Sequence, residues 1–346
     1  MDRQIGQNTL LFPNRPYVIG GAGIVSKAEG EGPLSDCFDR IEPDDTFGEP
    51  SFEKAERRLM IETVALACRK SGMKPKDLKT LLGGDLLNQI ITANYAARAL
   101  QIPFLGLYGA CSTMSESLLL GSVLVDAGFR SPVACTACSH FSTAERQYRY
   151  PLEMGTTAPP TAQRTVTGAG CVLLADAPTE QSRFRHIRVS AATIGSVIDL
   201  GIDDIANMGA AMAPAACDTI LRHLSDTGTN ADSFDRIVTG DLGTLGSSLL
   251  RALCKKNGVN IDAVHFDCGA EIYAKEQQYH CGGSGCGCSA VVLTGHLLPQ
   301  IESGALSRIL FLATGALMST TSAQQGETIP GIAHAIVLEH DEGGDA

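Results

Sequence analysis

The sequence predicts an α/β protein built from two similar halves, and three observations lead to this fold class. Residues 72–86 align with residues 228–242 without a gap, at an offset of 156 (228 − 72), and both segments contain Gly-Asp-Leu. In each half, helical patterns alternate with short apolar runs, an order typical of buried sheets that helices cover on both faces. The chain has 346 residues, 44% of them hydrophobic and 19% charged, which is enough for a large core. Two such units side by side give a five-layered α/β/α/β/α sandwich.

Each half is predicted to begin with a helix that leads into a short strand. In the first half, Ser51 is the predicted N-cap, apolar residues recur every four positions from Met60, and Gly72 is expected to end the helix. In the second half, the helical pattern of residues 212–224 ends at Gly228. Both helices precede a short strand, at 81–82 and 237–238, which ends at the shared Gly-Asp.

A second repeat covers the helix predicted at the centre of each half. Residues 108–138 resemble residues 283–315 at an offset of 176, which is 20 more than the first offset (176 − 156), so we predict an insertion at 260–280. The two helices, 112–127 and 286–301, are rich in small residues and carry few charges before their last turns, which predicts burial between two sheets. Final strands are predicted at 171–174 and 332–338. We therefore divide the chain into an N-terminal half, 1–182, and a C-terminal half, 183–346.

Composition and charge exclude several classes of protein. The net charge is −11, and Lys and Arg are scattered rather than gathered in a stripe, so we expect no nucleic-acid partner. The N-terminus lacks the features of a signal peptide, and no apolar run approaches the roughly 20 residues of a membrane span. The twelve cysteines lie in apolar or glycine-rich strings and are predicted to be reduced and buried. No metal site is predicted, because Cys135 and Cys138, three apart on a strand, face opposite sides.

Cys111 is the cysteine that we predict to mark a site. It lies where a predicted buried strand, 102–108, turns into the first central helix. The helix dipole and the free amides of the first turn are expected to lower the pKa of its thiol. The position of Cys111 at this junction is expected to place the thiol at the mouth of a cleft. The alternative is a buried small residue like Cys171.

Several strings give the chain a family resemblance over nearly its whole length. GACSTM at 109–114, TGAGCVLL at 167–174 and GSGCGCS at 283–289 resemble the thiolase superfamily, of the ketoacyl synthase III type. GDLLNQ at 84–89, TAERQYRYP at 143–151, MGAAMAPAA at 208–216 and ETIPGIAH at 327–334 resemble the stage V sporulation protein AD family. The resemblance implies a thiolase-like fold and a homodimer that pairs through edge strands of the first half.

In thiolase relatives, the cysteine at the position of Cys111 accepts the acyl group, helped by a histidine and an asparagine from the second half. Alignment by the repeat places Asp241 and Ser284 at those two positions. A carboxylate beside Cys111 would raise the thiol pKa, and a serine is a poor oxyanion donor. We therefore predict a degenerate, non-catalytic member. The alternative is an acyl-transferring or condensing enzyme that uses Cys111 as nucleophile, with one of four histidines moved in to assist: His140, His265, His280 or His334.

The resemblance to the sporulation family implies binding of dipicolinic acid, with or without calcium, during its uptake into the developing spore. Two carboxylates need cationic or amide donors, and the flat ring needs an apolar wall. The predicted ligand-binding residues are Cys111, Ser112, His140, Arg146, Arg149, Asp85, Asn88, Asp241 and Ser284. Arg146 and Arg149 could instead form surface ion pairs, and Asp85 and Asp241 could cap turns. We expect no cofactor, and calcium only as the dipicolinate chelate.

Transport by a chain without a membrane span requires separate membrane partners, which the resemblance implies are the other stage V sporulation A proteins. The predicted location is the cytoplasm or the surface of the spore inner membrane. A third interpretation is a scaffold for those membrane partners that binds no ligand.

Overall fold

The structure is a computed structural model that describes residues 3–148 and 158–341. Its strands are Gln4–Ile5 (β1), Thr9–Leu11 (β2), Tyr17–Val25 (β3), Arg40–Ile41 (β4), Thr80–Gly84 (β5), Phe104–Gly106 (β6), Val133–Ser139 (β7), Arg164–Thr165 (β8), Gly168–Ala175 (β9), Ile187–Thr193 (β10), Arg236–Thr239 (β11), His265–Asp267 (β12), Gly283–Ser284 (β13), Arg308–Ala316 (β14) and Gly331–His340 (β15). Its α-helices are Lys27–Gly30 (α1), Phe52–Lys70 (α2), Ile91–Leu100 (α3), Thr113–Asp126 (α4), Phe141–Tyr148 (α5), Met208–Thr227 (α6), Gly243–Lys256 (α7), Cys268–Glu271 (α8), Cys286–Val292 (α9), Leu298–Glu302 (α10) and Thr320–Gln324 (α11).

Two halves with the same strand order confirm the duplication. The first half runs β6-β5-β7-β9-β3 across its sheet, and the second runs β12-β11-β14-β15-β10. In the first half, β5 pairs in parallel with β6 and β7, and β9 pairs antiparallel with β7 and β3. In the second half, β11 pairs in parallel with β12 and β14, and β15 pairs antiparallel with β14 and β10. The α/β fold class predicted from the repeat is correct.

The two halves meet at their first strands, where Tyr17 of β3 pairs with Arg188 of β10. The predicted division at residue 182 falls in the connection between β9 and β10. The described N-terminal residues nevertheless lie on the second half, because β2 pairs with β10 and Thr9 hydrogen-bonds Asp226.

Small residues let the central helices approach the sheets closely. α4 contacts β7 of its own half and β14 and β15 of the other, while α9 contacts β7 and β9 of the first half. A Cβ added at Gly170 of β9 would lie 2.4 Å from the main chain of Ala290 on α9, so only glycine allows this approach. The tight central layer explains why the sequence is rich in Gly, Ala, Ser and Cys there and contains no Trp.

The helix ends follow their local signals. The hydroxyl of Ser51 accepts a hydrogen bond from the Lys54 amide at 3.4 Å, as predicted for an N-cap. Gly72 and Gly228 follow α2 and α6 with φ of +68° and +66°, the left-handed region that favours glycine. The second central helix is interrupted by a π-turn at Leu293–Leu297 between α9 and α10. Among the described residues, no helix combines the length and the apolar character needed to cross a membrane.

The predicted insertion at 260–280 is only partly an insertion. It contains β12, the counterpart of β6. Phe104 of β6 pairs with Leu81 of β5, and His265 of β12 pairs with Ile237 of β11, the residue equivalent to Leu81 in the repeat. The offset at this strand is 161 (265 − 104). Five of the 20 extra residues (161 − 156) therefore precede β12, and fifteen (176 − 161) follow it.

The strand before Cys111 is not buried, contrary to the prediction for 102–108. β6 spans only Phe104–Gly106 and is the outer edge of the first half's sheet. Leu105 is 49% exposed and Tyr108 is 51% exposed. An edge strand lacks a neighbour on one side, so its apolar sequence does not by itself ensure burial.

Candidate functional site

Cys111 lies on a sharp turn between β6 and α4. Ala110 adopts a φ of +50°, an uncommon conformation for a residue with a side chain, and the chain then enters a short 3₁₀ turn over Ala110–Ser112. β14 of the second half runs close by, since a Cβ at Gly315 would lie 2.6 Å from the carbonyl oxygen of Gly109. The turn therefore places the thiol of Cys111 at the seam between the two halves.

Asp241 of the second half lies against Cys111. It directly follows β11 and Gly240, is buried, and accepts hydrogen bonds from the Gly285 amide at 2.9 Å and the Thr314 hydroxyl at 2.7 Å. The Cys111 thiol lies beside this carboxylate and interacts with it electrostatically. Two donors hold the carboxylate in position, since one oxygen is bonded to Gly285 and the other to Thr314.

The thiol pKa moves upward, and the expectation that the helix dipole would lower it is wrong. Burial raises the pKa of Cys111 well above its usual value, and the neighbouring Asp241 raises it further. Burial also raises the pKa of Asp241 to about 7. Desolvation and a like charge outweigh the dipole, so Cys111 is a protonated thiol near neutral pH.

A cleft of about 440 Å³ opens above this pair. Its apolar wall includes Leu86, Tyr108, Ala110, Ala144, Tyr148, Met208, Ala316, Leu317 and Met318. Its polar lining consists of Asn88, Cys111, Glu145, Thr165, Ser284, Gly285, Ser319 and Ser322. The wall is mostly apolar, and hydroxyl and amide groups from both halves face the space, as is common in sites for small ligands.

Helix α5 forms one wall, and the segment after β5 holds it in place. The hydroxyl of Tyr148 and the side-chain amide of Gln147 both donate to the carbonyl oxygen of Leu86, the latter at 3.2 Å. The Gln147 side-chain oxygen accepts from the Asn88 amide at 3.1 Å. These bonds fix Tyr148 with its ring on the cleft, and its pKa is raised by burial and by nearby Tyr108.

A short two-stranded sheet between the halves lies next to α5 and also lines the cleft. β8 and β13 pair in parallel, which brings Thr165 opposite Ser284. Gln163 ties this sheet to the floor of the cleft by donating to the carbonyl oxygens of Asp241 at 2.8 Å and Gly283 at 2.7 Å.

Four of the predicted site residues meet in the structure. Cys111, Asn88 and Ser284 line the cleft, and Asp241 lies directly beneath Cys111. They come from two segments of each half, as the repeat alignment predicted for Asp241 and Ser284.

The structure places four other predicted residues away from the cleft lining. Asp85 is buried and accepts from the amides of Leu87 at 2.8 Å and Ala93 at 2.7 Å, so it caps the start of α3. Ser112 is buried, and its hydroxyl donates back to the Gly109 carbonyl oxygen at 2.7 Å.

His140 and Arg146 also have partners elsewhere. The ring of His140 hydrogen-bonds the Asp45 carbonyl oxygen at 2.7 Å and accepts from the Ser142 amide at 3.1 Å. Arg146 lies on the outer face of α5 and forms an ion pair with Glu53, the surface role that the sequence left open as an alternative. Arg149 lies outside the described residues.

No histidine has moved in to replace the missing catalytic one. All eight histidines lie in the described residues, and none of them lines the cleft. His265 hydrogen-bonds Thr239 at 2.9 Å, and His334 accepts from the Gly195 amide at 3.2 Å. His280 is exposed in the loop before β13.

Two lining residues that the sequence reasoning did not select are Glu145 and Tyr148. Both belong to the string TAERQYRYP, from which we chose the two arginines because the expected ligand is an anion. Helical periodicity could have identified Tyr148, because Ala144 and Tyr148, four apart, share the face of α5 that lines the cleft. Arg146 lies on another face, away from the cleft. Glu145 is buried beside Thr165.

Comparison with known proteins assigns the chain to a family. The sequence model of stage V sporulation protein AD matches residues 6–339. This chain belongs to the stage V sporulation protein AD family. The stage V sporulation protein AD of Bacillus subtilis (strain 168) is 45% identical over 338 residues, which cover 98% of each chain.

Solved structures show that this sporulation family member has a thiolase-like fold. It is similar to the 3-oxoacyl-[acyl-carrier-protein] synthase III of Aquifex aeolicus VF5, with a TM-score of 0.56 and 13% identity, covering 94% of this chain and 100% of the other. Human mitochondrial 3-ketoacyl-CoA thiolase, solved in complex with CoA, matches with a TM-score of 0.58 and 12% identity, covering 94% and 98%. At these identities the likeness concerns the fold alone.

Proposed function

We propose that this sporulation protein binds dipicolinate in the cleft above Cys111, without acyl-transfer catalysis, and acts in dipicolinate uptake into the developing spore. The position of the Cys111 thiol beside the buried Asp241 carboxylate is the observation that carries the proposal. Burial and the neighbouring carboxylate oppose ionisation of the thiol, so Cys111 is a poor nucleophile near neutral pH. The protonated Cys111 then forms part of the floor of a binding site.

The lining of the cleft offers apolar surface and neutral donors to a small aromatic ligand. The ring of Tyr148 and the side chains of Leu86 and Met208 offer apolar surface for a pyridine ring. The side-chain amide of Asn88 and the hydroxyl of Ser284 offer neutral donors for carboxylate oxygens. The volume of about 440 Å³ falls in the range of ligand pockets.

The charge of the ligand needs a partner that the described lining does not supply. Among the described residues around the cleft there is no Lys, Arg or His, while Glu145 adds a carboxyl group. Burying two ligand carboxylates without a cation is costly. The proposal therefore includes a counter-charge, which is either calcium within the dipicolinate chelate or Arg149, one residue beyond the end of α5.

Isothermal titration tests the proposal and separates these two sources of charge. Sodium dipicolinate is titrated with a calcium chelator present, and the calcium chelate of dipicolinate is titrated in parallel, into the native protein and the Arg149→Ala variant. Binding that requires calcium and is unchanged in the variant assigns the charge to the ion. Calcium-independent binding that is lost in the variant assigns it to Arg149. No saturable binding in any arm contradicts the proposal.

A second candidate function, acyl transfer, keeps one observation in its favour. Cys111 lies on a strained turn at the start of a central helix, a position from which a thiol could attack a bound acyl group. Incubation with acetyl-CoA followed by intact-mass measurement distinguishes the two functions. An acetyl adduct that disappears in Cys111→Ala would establish the enzyme reading, and an unmodified mass supports the binding function.

We also propose a homodimer that pairs through the edge of the first half. β6 ends that sheet, and Leu105 together with Ile91 and Tyr95 of α3 leaves apolar side chains at least partly exposed beside it. Analytical ultracentrifugation of Leu105→Lys tests this proposal, with Leu249→Lys on α7 as a matched exposed control. A dimer that is lost only in the first variant supports it, and a dimer that persists in both excludes this edge.

The membrane partners of the proposal are separate proteins, the other stage V sporulation A proteins. A net charge of −11 makes direct adsorption to an anionic lipid surface unfavourable, so we place the protein in the cytoplasm or at the inner membrane through these partners. Variants that abolish dipicolinate binding but leave sporulation intact would favour a scaffold that binds no ligand.

A further inference from the structure

Two cysteines of the second half have sulfur atoms that contact each other. The Sγ atoms of Cys217 on α6 and Cys254 on α7 are 3.6 Å apart, and both side chains are buried. By contrast, the thiol of Cys135 contacts a main-chain atom, the Ser117 carbonyl oxygen, at 3.2 Å. The function proposed for the cleft uses neither Cys217 nor Cys254.

Close packing of the two helices sets the distance between these thiols. α6 and α7 start side by side, where a Cβ added at Gly246 would lie 2.8 Å from the Cα of Gly209. Cys217 follows Gly209 by eight residues (217 − 209), and Cys254 follows Gly246 by eight (254 − 246). Eight residues advance about 12 Å along either helix, so the two cysteines lie at the same distance from the contact between the glycines. Rigid helices, rather than a mobile loop, hold the two thiols together.

We propose that Cys217 and Cys254 are a redox pair that closes to a disulfide between α6 and α7 when a two-electron thiol oxidant reaches them. A disulfide needs the sulfur atoms at about 2.05 Å. They must therefore approach by about 1.5 Å (3.6 − 2.05).

The chemistry balances with a diazene or a small disulfide as oxidant. The hydrogen bond from Cys254 lowers the pKa of Cys217, so Cys217 becomes the attacking thiolate. With diamide, the Cys217 sulfur adds to one nitrogen of the N=N bond, and the Cys254 sulfur then displaces that nitrogen. The S–S bond forms, two S–H bonds are lost, and the diazene takes up two electrons and two protons to become a hydrazine.

The disulfide would join two cysteines that 36 intervening residues separate along the chain (254 − 217 − 1). Both helices begin at the seam, α6 with the cleft residue Met208 and α7 just after Asp241. Cross-linking them restricts the unfolded chain and holds the outer layer of the second half together. Cys254 is two residues from the end of α7, where fraying of the last turn admits a small oxidant.

The full-length protein is treated with diamide under native conditions, denatured in an alkylating reagent, and digested with trypsin. The sequence suits this test, because residues 189–222 contain Cys217 as their only cysteine and residues 252–255 contain only Cys254. We expect these two peptides to be linked, and ten alkylatable thiols in place of the twelve of the reduced chain (12 − 2). Dithiothreitol should restore all twelve.

Three variants make the result specific. Cys217→Ala and Cys254→Ala should each leave the other peptide unlinked, whereas Cys68→Ala, which removes a buried cysteine from α2, should keep the link. The native protein should also need more urea to unfold after oxidation, and Cys254→Ala should show no such shift. The proposal is overturned if both thiols stay fully alkylatable while other cysteines are oxidised, or if the linked peptide forms only after denaturation.

Discussion

The thiol of Cys111, from the first half of the chain, lies beside the carboxylate of Asp241, from the second, and the two groups interact electrostatically. This single contact crosses the seam of the duplicated fold at the floor of the cleft. It opposes ionisation of the thiol, because a thiolate would face a carboxylate in a buried space. The chemistry of the site therefore depends on which residue the second half presents to Cys111.

Replacing Asp241 with Asn should make Cys111 more reactive. The variant removes the charge that opposes the thiolate, so the thiol pKa should fall and the rate of alkylation by iodoacetamide near pH 8 should rise several-fold. The rate is measured as a function of pH, with Cys111 followed by peptide mass. Asp85→Asn, the repeat-equivalent change, is the control and should leave the reactivity of Cys111 unchanged. Equal rates in the native protein and Asp241→Asn would contradict the assigned contact.

Truncation of Tyr148 should weaken the proposed ligand binding. Tyr148→Ala removes a ring from the cleft wall, and the loss of one aromatic contact, worth about 1 to 1.5 kcal/mol, corresponds to a Kd about tenfold higher. Calorimetric titration measures the Kd. Arg146→Ala is a matched control two residues away, because that side chain pairs with Glu53 on the outer face of α5. A larger effect of Arg146→Ala than of Tyr148→Ala would place the ligand elsewhere.

His334 should make the protein sensitive to acid. Burial lowers its pKa to about 4, whereas the unfolded chain has a value of about 6.5. Between these values the unfolded state takes up a proton that the folded state refuses, so stability is lost as the pH falls from 6.5 towards 4. The difference amounts to about 2 kcal/mol between pH 7 and pH 5.

Urea unfolding at those two pH values checks this prediction. His334→Gln keeps an acceptor for the Gly195 amide but cannot be protonated, so it should lose about 2 kcal/mol less stability on acidification than the native protein. Identical losses in the two proteins would show that His334 is not held neutral by burial.

A methyl group at Gly246 should disrupt the contact between α6 and α7. The added Cβ would meet the main chain of Gly209 at 2.8 Å, and backbone atoms cannot move aside as a flexible side chain can. Gly246→Ala should therefore lower the free energy of unfolding by roughly 1 to 3 kcal/mol, as is typical of overpacking. Ser248→Ala, an exposed change on the same helix, should alter it by less than about 0.5 kcal/mol. Urea unfolding of both variants provides the comparison, and equal stabilities would exclude the close approach.

Much of the fold could be predicted from the sequence because it depends on local and repeated signals. Ser51 and Gly72 mark the ends of a helix by their own backbone preferences. The shared Gly-Asp and the offset of 156 aligned the strands of the two halves before any contact was known. Burial of β6 could not be predicted in this way, since an edge strand and a central strand can carry the same apolar sequence.

The candidate site, too, could be predicted only in part from the sequence. Cys111, Asp241 and Ser284 followed from the repeat, because equivalent positions of a duplicated fold occupy equivalent places. The repeat did not show that Asp85 and Asp241 would differ in role. Asp85 caps a helix of its own half, whereas Asp241 lies beside Cys111 across the seam. In the second half, Asp267 accepts from the amides at the start of α7.

By itself, the sequence determined the duplication, the position of the central cysteine, and the order of the main helices and strands that follow the first strand of each half. It did not predict those first strands, β3 and β10, since each half was expected to begin with a helix. Only the tertiary structure decided which polar side chains face the cleft, turning Tyr148 and Glu145 towards it and Arg146 away. The reason is physical: periodicity reports the geometry of one element, while a cleft wall is formed by segments of both halves whose relative orientation is set by packing across the seam.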